Sequence, residues 1–150
     1  MHRPTPNRPT LAFAFDPERY DGALDSHDLA RLASIADILD DAPMQTYRDA
    51  RAERLLAQAD ILVTGWRAPL LDTAALAQAP RLRLVGHLAA TVKQFLPVEV
   101  WERGIQVTAA VNAVALPVVE FTLAAITFAG KRAFAQSQRY RQHREIAYSG

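Results

Sequence analysis

Leu82 to Arg132 reads LRLVGHLAATVKQFLPVEVWERGIQVTAAVNAVALPVVEFTLAAITFAGKR. Its first apolar run, Leu82 to Val85, predicts a strand, which passes into the small-residue loop Gly86-His87-Leu88-Ala89-Ala90-Thr91. Pro97 to Arg103 predicts a short helix, with proline at a tolerated N-terminal position and Gly104 as the stop. Ile105 to Val107 predicts the next strand. Pro117 then opens an almost continuously apolar helix, expected to run to about Tyr140.

The chain before this stretch repeats the alternation. Leu11 to Phe15, Ile38-Leu39 and Ile61 to Thr64 are short apolar runs bounded by turn residues. Between them lie a helix N-capped by Ser26 and carrying Leu29, Leu32, Ala33 and Ala36, and a second helix from Thr46 to Gln58. Leu70 to Ala77 is a third, stopped by Ala79-Pro80. Five short strands alternating with helices predict an α/β protein, a doubly wound parallel five-stranded sheet with a long C-terminal helix.

Composition removes several functions. The 150 residues suffice for one domain with a core, and a net charge of +1 gives no bulk attraction for nucleic acid or anionic membrane. The absence of cysteine excludes disulfides, thiolate metal sites and cysteine nucleophiles, and fits a reducing, cytoplasmic setting. MHRPTPNRPT lacks the apolar core of a secretory signal, so residues 1–9 are expected to be a disordered lead. Ala109 to Gly130 is interrupted by Asn112, Pro117 and Glu120, which predicts a buried helix rather than a membrane span. The basic residues after Gly130, Lys131, Arg132, Arg139, Arg141 and Arg144 against Glu145, predict a solvated helix end or a frayed linker.

In such a sheet, ligands bind beyond the carboxyl ends of the strands. The loops there are Asp16 to Tyr20, Gly65-Trp66-Arg67, His87 to Thr91 and Ala109 to Asn112. The loop after Gly86 is the most informative, because small residues let an anion approach consecutive backbone N–H groups; an ordinary strand-to-helix turn reads the same way. His87 has no carboxylate partner in sequence and is expected to be structural, while Arg67 could hold a carboxylate but, standing alone, is expected to be a surface charge. Trp66 and Trp101 are expected to pack, and Glu120 to favour the start of its helix. There is no G-x-G-x-x-G, Walker loop, G-x-S-x-G or histidine–carboxylate metal cluster. Thr64-Gly65 supplies no aspartate at the end of strand three, and DPERYDG supplies no hydroxyl-rich phosphate loop after strand one. Receiver domains and flavodoxins proper are thereby disfavoured.

The stretch resembles the D-isomer-specific 2-hydroxyacid dehydrogenases. APRLRLVG (Ala79 to Gly86) is similar to the family's lead into strand four, and VWERGIQV (Val100 to Val107) to its arginine–glycine–isoleucine–x–valine pattern. Glu120 falls where the family opens a helix with valine–alanine–glutamate, and FTLAAITFAGKR (Phe121 to Arg132) resembles the run that follows. The match covers about Asp60 to Arg132. The resemblance implies a flavodoxin-like substrate-side domain over residues 10–116 and a hinge or dimerisation helix over 117–145. The NAD-binding Rossmann domain, with the catalytic arginine, glutamate and histidine, would be absent from this chain.

It further implies that Leu88, Ala89, Ala90 and Thr91 hold the carboxylate of a small 2-hydroxy or 2-oxo acid, that Trp66 borders that site, and that Asn112 lies toward the cofactor. The cofactor implied is NAD or NADP, not held tightly by this chain alone. Thr91 and Ala89 stand where the family keeps glycine. A homodimer through the 117–132 helix is expected, without nucleic acid or membrane as partner. The expectation is a chain inactive alone; the alternative is a stand-alone, non-catalytic flavodoxin-like binding or dimerisation module.

Overall fold

A computed structural model describes residues 8–19 and 24–144. Most of the expected lead, the Tyr20 end of the first loop and the end of the expected last helix lie outside these residues. Arg8 and Pro9, at the end of the lead, are held: Arg8 pairs with Asp37 at 3.2 Å and the Pro9 carbonyl accepts from the Asp37 amide at 2.9 Å.

The sheet is built from β1 (Thr10–Ala14), β2 (Asp37–Ile38), β3 (Ile61–Thr64), β4 (Leu84–His87) and β5 (Gln106–Ala109). All pairs are parallel and the order is β2-β1-β3-β4-β5, the flavodoxin-like winding. Apolar side chains at successive positions are explained by cover on both faces. Ala12, Ala14, Leu62 and Val85 pack on one face with Leu55 and Leu56 of α2 (Ala50–Gln58), Leu76 of α3 (Thr73–Gln78) and Val100 of α4 (Glu99–Glu102). Leu11, Phe13 and Val63 form the other face with Leu29 and Leu32 of α1 (Ser26–Ile35). This second face is less covered: Gln106 and Thr108, at its β5 edge, are exposed.

β4 begins at Leu84, not at Leu82 as the apolar run suggested. The amides of Arg83 and Leu84 both donate to the Asp60 carbonyl, at 2.9 and 3.3 Å, so Leu82 is buried as part of the approach to the strand. His87 consequently ends the strand instead of opening the loop. β5 is displaced by one residue in the same sense.

Three aspartates cap the helices and shift their starts from those expected. Asp25, Asp49 and Asp72 accept the amides of Asp28, Ala52 and Ala75 at 2.8, 2.7 and 3.0 Å. Ser26 is therefore the first helical residue, not the cap, and the expected starts at Thr46 and Leu70 move to Ala50 and Thr73. An N-cap oxygen satisfies one of the four free amides at a helix start, which fixes the boundary.

The chain divides into two compact units, residues 1–111 and 112–150. The second holds most of α5 (Val111–Gly130) and α6 (Ala133–His143). α5 starts before Pro117, which lies inside it. Ala113, Ala115 and Leu116 are strong helix formers, and a proline in the second turn forfeits one bond, that to the Ala113 carbonyl. The single helix expected to about Tyr140 is two, broken at Lys131-Arg132, where Arg132 takes a left-handed φ of 51°. Across the break Phe128 and Phe134 meet with ring centroids 5.7 Å apart.

The expectation of a buried helix over 109–130 fails: no residue of α5 is buried. Apolar periodicity shows that such a helix requires cover but not whether the chain provides it. At 20 residues α5 is also long and apolar enough to cross a membrane by length and composition, with Glu120 near its middle.

Candidate functional site

At the carboxyl ends of β1, β3, β4 and β5 the sheet presents four loops. The β1 and β3 loops are tied together. Asp16 donates its amide to the Trp66 carbonyl at 3.1 Å, and its carboxylate faces Arg67 at 3.5 Å. Arg67 takes a left-handed φ of 55°, in the turn closed by the Ala68 amide on the Gly65 carbonyl at 3.1 Å. Arg67 is thus engaged with Asp16. Trp66 is 58% exposed, so it is not the packing residue that its type suggested.

The β4 loop is anchored at its start and free in its middle. The Leu88 amide donates to Thr64 at 2.9 Å. The carbonyls of His87 and Ala89 both accept from the Ala110 amide, at 3.0 and 3.1 Å, so this loop and the β5 loop form one edge. Among the described residues the amides of Ala89, Ala90 and Thr91 find no acceptor. Ala89 is buried, whereas Ala90 and Thr91 are exposed.

Of the four carboxylate-binding residues expected from sequence, Leu88 has its amide engaged and three retain free donors. Thr91 does not adopt a positive φ, nor do its neighbours, so the β-branched residue is accommodated without strain. The same fact excludes a cradle made by alternating right- and left-handed residues at this loop.

His87 is buried at the end of β4. It is 3% exposed, its Nδ1 lies 2.9 Å from the Thr64 hydroxyl, and its ring sits against Phe95 with centroids 4.8 Å apart. Nε2 has no hydrogen-bond partner among the described residues. Burial disfavours the imidazolium, so the pKa lies below the ordinary histidine value. Among the described residues no carboxylate is hydrogen-bonded or ion-paired with the ring.

Beside this edge, on the second face of the sheet, lies a groove of about 640 Å³ between α1 and strands β3 to β5. Leu32, Ile35, Val63, Leu88 and Thr108 line it, with Arg31 at its α1 side. Asp25, His27 and Asp28 come within 4.8 Å of one another at the start of α1, a grouping that sequence patterns missed. The three are solvent-accessible, and Asp25 is already engaged as the helix cap.

Asn112 lies in the first turn of α5, outside the unit that carries the loop. A dinucleotide would need a glycine-rich strand-to-helix turn whose amides face the pyrophosphate. The glycines here, Gly65, Gly86, Gly104 and Gly130 among the described residues, never form that spacing. Among the described residues that cradle for NAD or NADP is not formed.

No family model matches the chain, and no curated protein matches it in sequence. Solved structures do match in fold. A phosphoglycerate oxidoreductase from Rhizobium etli is 23% identical with a TM-score of 0.65, over 92% of this chain and 41% of that one. The PH0520 protein from Pyrococcus horikoshii OT3 is 20% identical with a TM-score of 0.67, over 93% of this chain and 39% of that one. The chain therefore spans about two fifths of the length of each structure and shares with that part a flavodoxin-like α/β fold.

Proposed function

We propose that the chain is the substrate-side half of a D-2-hydroxyacid dehydrogenase-like protein, binding a small 2-hydroxy or 2-oxo acid by its carboxylate. The observation that carries this is the row of free amides at Ala89, Ala90 and Thr91, at the carboxyl edge of a parallel sheet. Amide donors to a carboxylate are charge-assisted and strong, and this edge is where ligands bind in such folds. The fold likeness to a phosphoglycerate oxidoreductase and the sequence resemblance from Ala79 to Arg132 support the same reading.

The family's reaction moves a hydride between the acid and NAD(P), which a separate dinucleotide domain would hold. This chain's own part is to seat the carboxylate with Trp66 near the rim. The test has two arms. Titration calorimetry with D-lactate, D-glycerate and glycolate should register binding, and NADH with the matching 2-oxo acids should show no turnover by the chain alone. Absence of binding to every acid would sink the reading, and family-like turnover would sink its division of labour.

A second reading is favoured by α5. A 20-residue helix with no buried residue and Phe121, Leu123, Ile126 and Phe128 exposed demands a partner. We infer that copies of the chain associate through α5, with or without a substrate.

A further inference from the structure

We propose that the groove on the second face of the sheet is the seat for helix α5 of a second copy. The inference rests on the association through α5 proposed above and adds where that helix docks.

The seat is a half-covered sheet. α1 shelters the β2–β1 side, while Gln106 and Thr108 at the β5 edge stay exposed. Gly86 deepens the groove: a side chain there would meet only the Thr108 methyl, at 4.0 Å. In a doubly wound sheet such a face is covered by helices running back across it, and among the described residues α1 is the helix packed there.

The occupant is on the same chain. α5 is apolar nearly all round, and Ala124, Ala125 and Ala129 permit close approach to a sheet. A second copy is favoured by the connection. Strand-to-helix turns in α/β units usually take about two to six residues. Ala110 alone separates β5 from α5, which leaves little chain for a reversal and suits exchange between copies. Charge agrees: Glu120 is the one charged residue of α5 and Arg31 borders the groove, and neither is ion-paired among the described residues. A partner's Glu120 carboxylate meeting Arg31 would neutralise both as the apolar surfaces close.

The cysteine-free sequence makes the test direct. R31C and E120C are placed in separate chains, mixed, and treated with a short bismaleimide. The expected product is a covalent R31C–E120C dimer, formed far faster than linkage within either variant alone. The T108R variant, at an exposed strand position, should raise the dimer dissociation constant about tenfold or more without changing the circular dichroism spectrum. Equally rapid linkage of E120C with itself would place α5 against α5; that keeps the association and overturns the seat. Internal linkage at monomer mass in the R31C/E120C chain would assign the helix to its own sheet and overturn the exchange. A monomer by light scattering at micromolar concentration overturns both the association and the inference.

Discussion

Asp60 is the residue on which the amino end of the sheet hangs. It is almost fully buried and binds the Thr10 amide and hydroxyl, each at 3.0 Å, with Arg81 at 3.1 Å. Burial alone would raise its pKa, but those bonds outweigh it and hold the carboxyl below the ordinary value. Replacing Asp60 by Ala should cost about 3 kcal/mol, because it strands the Thr10 donors and the Arg81 charge. Chemical denaturation against the unaltered chain measures this.

His87 supplies the pH dependence. Its folded pKa lies below the ordinary 6.5, so the unfolded chain binds the extra proton first. The stability due to the neutral ring is therefore complete above that value and declines as pH falls below it. H87Q should flatten the stability profile between about pH 6.5 and 5, whereas D60A should alter it only nearer pH 4. At the loop, Ala90→Pro deletes one free amide and should weaken carboxylate binding about tenfold, the worth of one charge-assisted hydrogen bond.

At the scale of the element, Asp49→Ala removes the α2 cap without touching an ion pair and should lower stability by about 1 kcal/mol, roughly 3 °C in Tm by calorimetry. The caps also show what was legible. Strand existence and the β-α alternation could be read because runs such as Ile61 to Val63 are apolar at every position and lie between Asp60 and Gly65. Boundaries were not, since the Asp-x-x pattern at Asp25, Asp49 and Asp72 competes with a nearby serine, threonine or leucine and only backbone geometry decides. The shift of β4 depended on Asp60, distant in sequence, whose carbonyl sets where the strand begins. Pro117 misled because proline is common at a helix start and also survives one turn inside it. The loop was locatable as small residues after a strand. Its free amides and the absence of a left-handed residue at Thr91 are conformational facts that composition does not encode.

At the scale of the whole molecule, the described residues leave two unmet requirements: three amides without an acceptor at the edge of the sheet and an apolar helix with no buried residue. The first can be met by an anion and the second by an apolar surface, as the proposed function requires. The most direct test of the substrate reading is an amide-resolved NMR titration of the full chain with D-lactate and D-glycerate. The account predicts saturable shifts concentrated at Ala89, Ala90 and Thr91, with Trp66 responding in the same titration. Shifts confined to other residues, or none at millimolar acid, would contradict it.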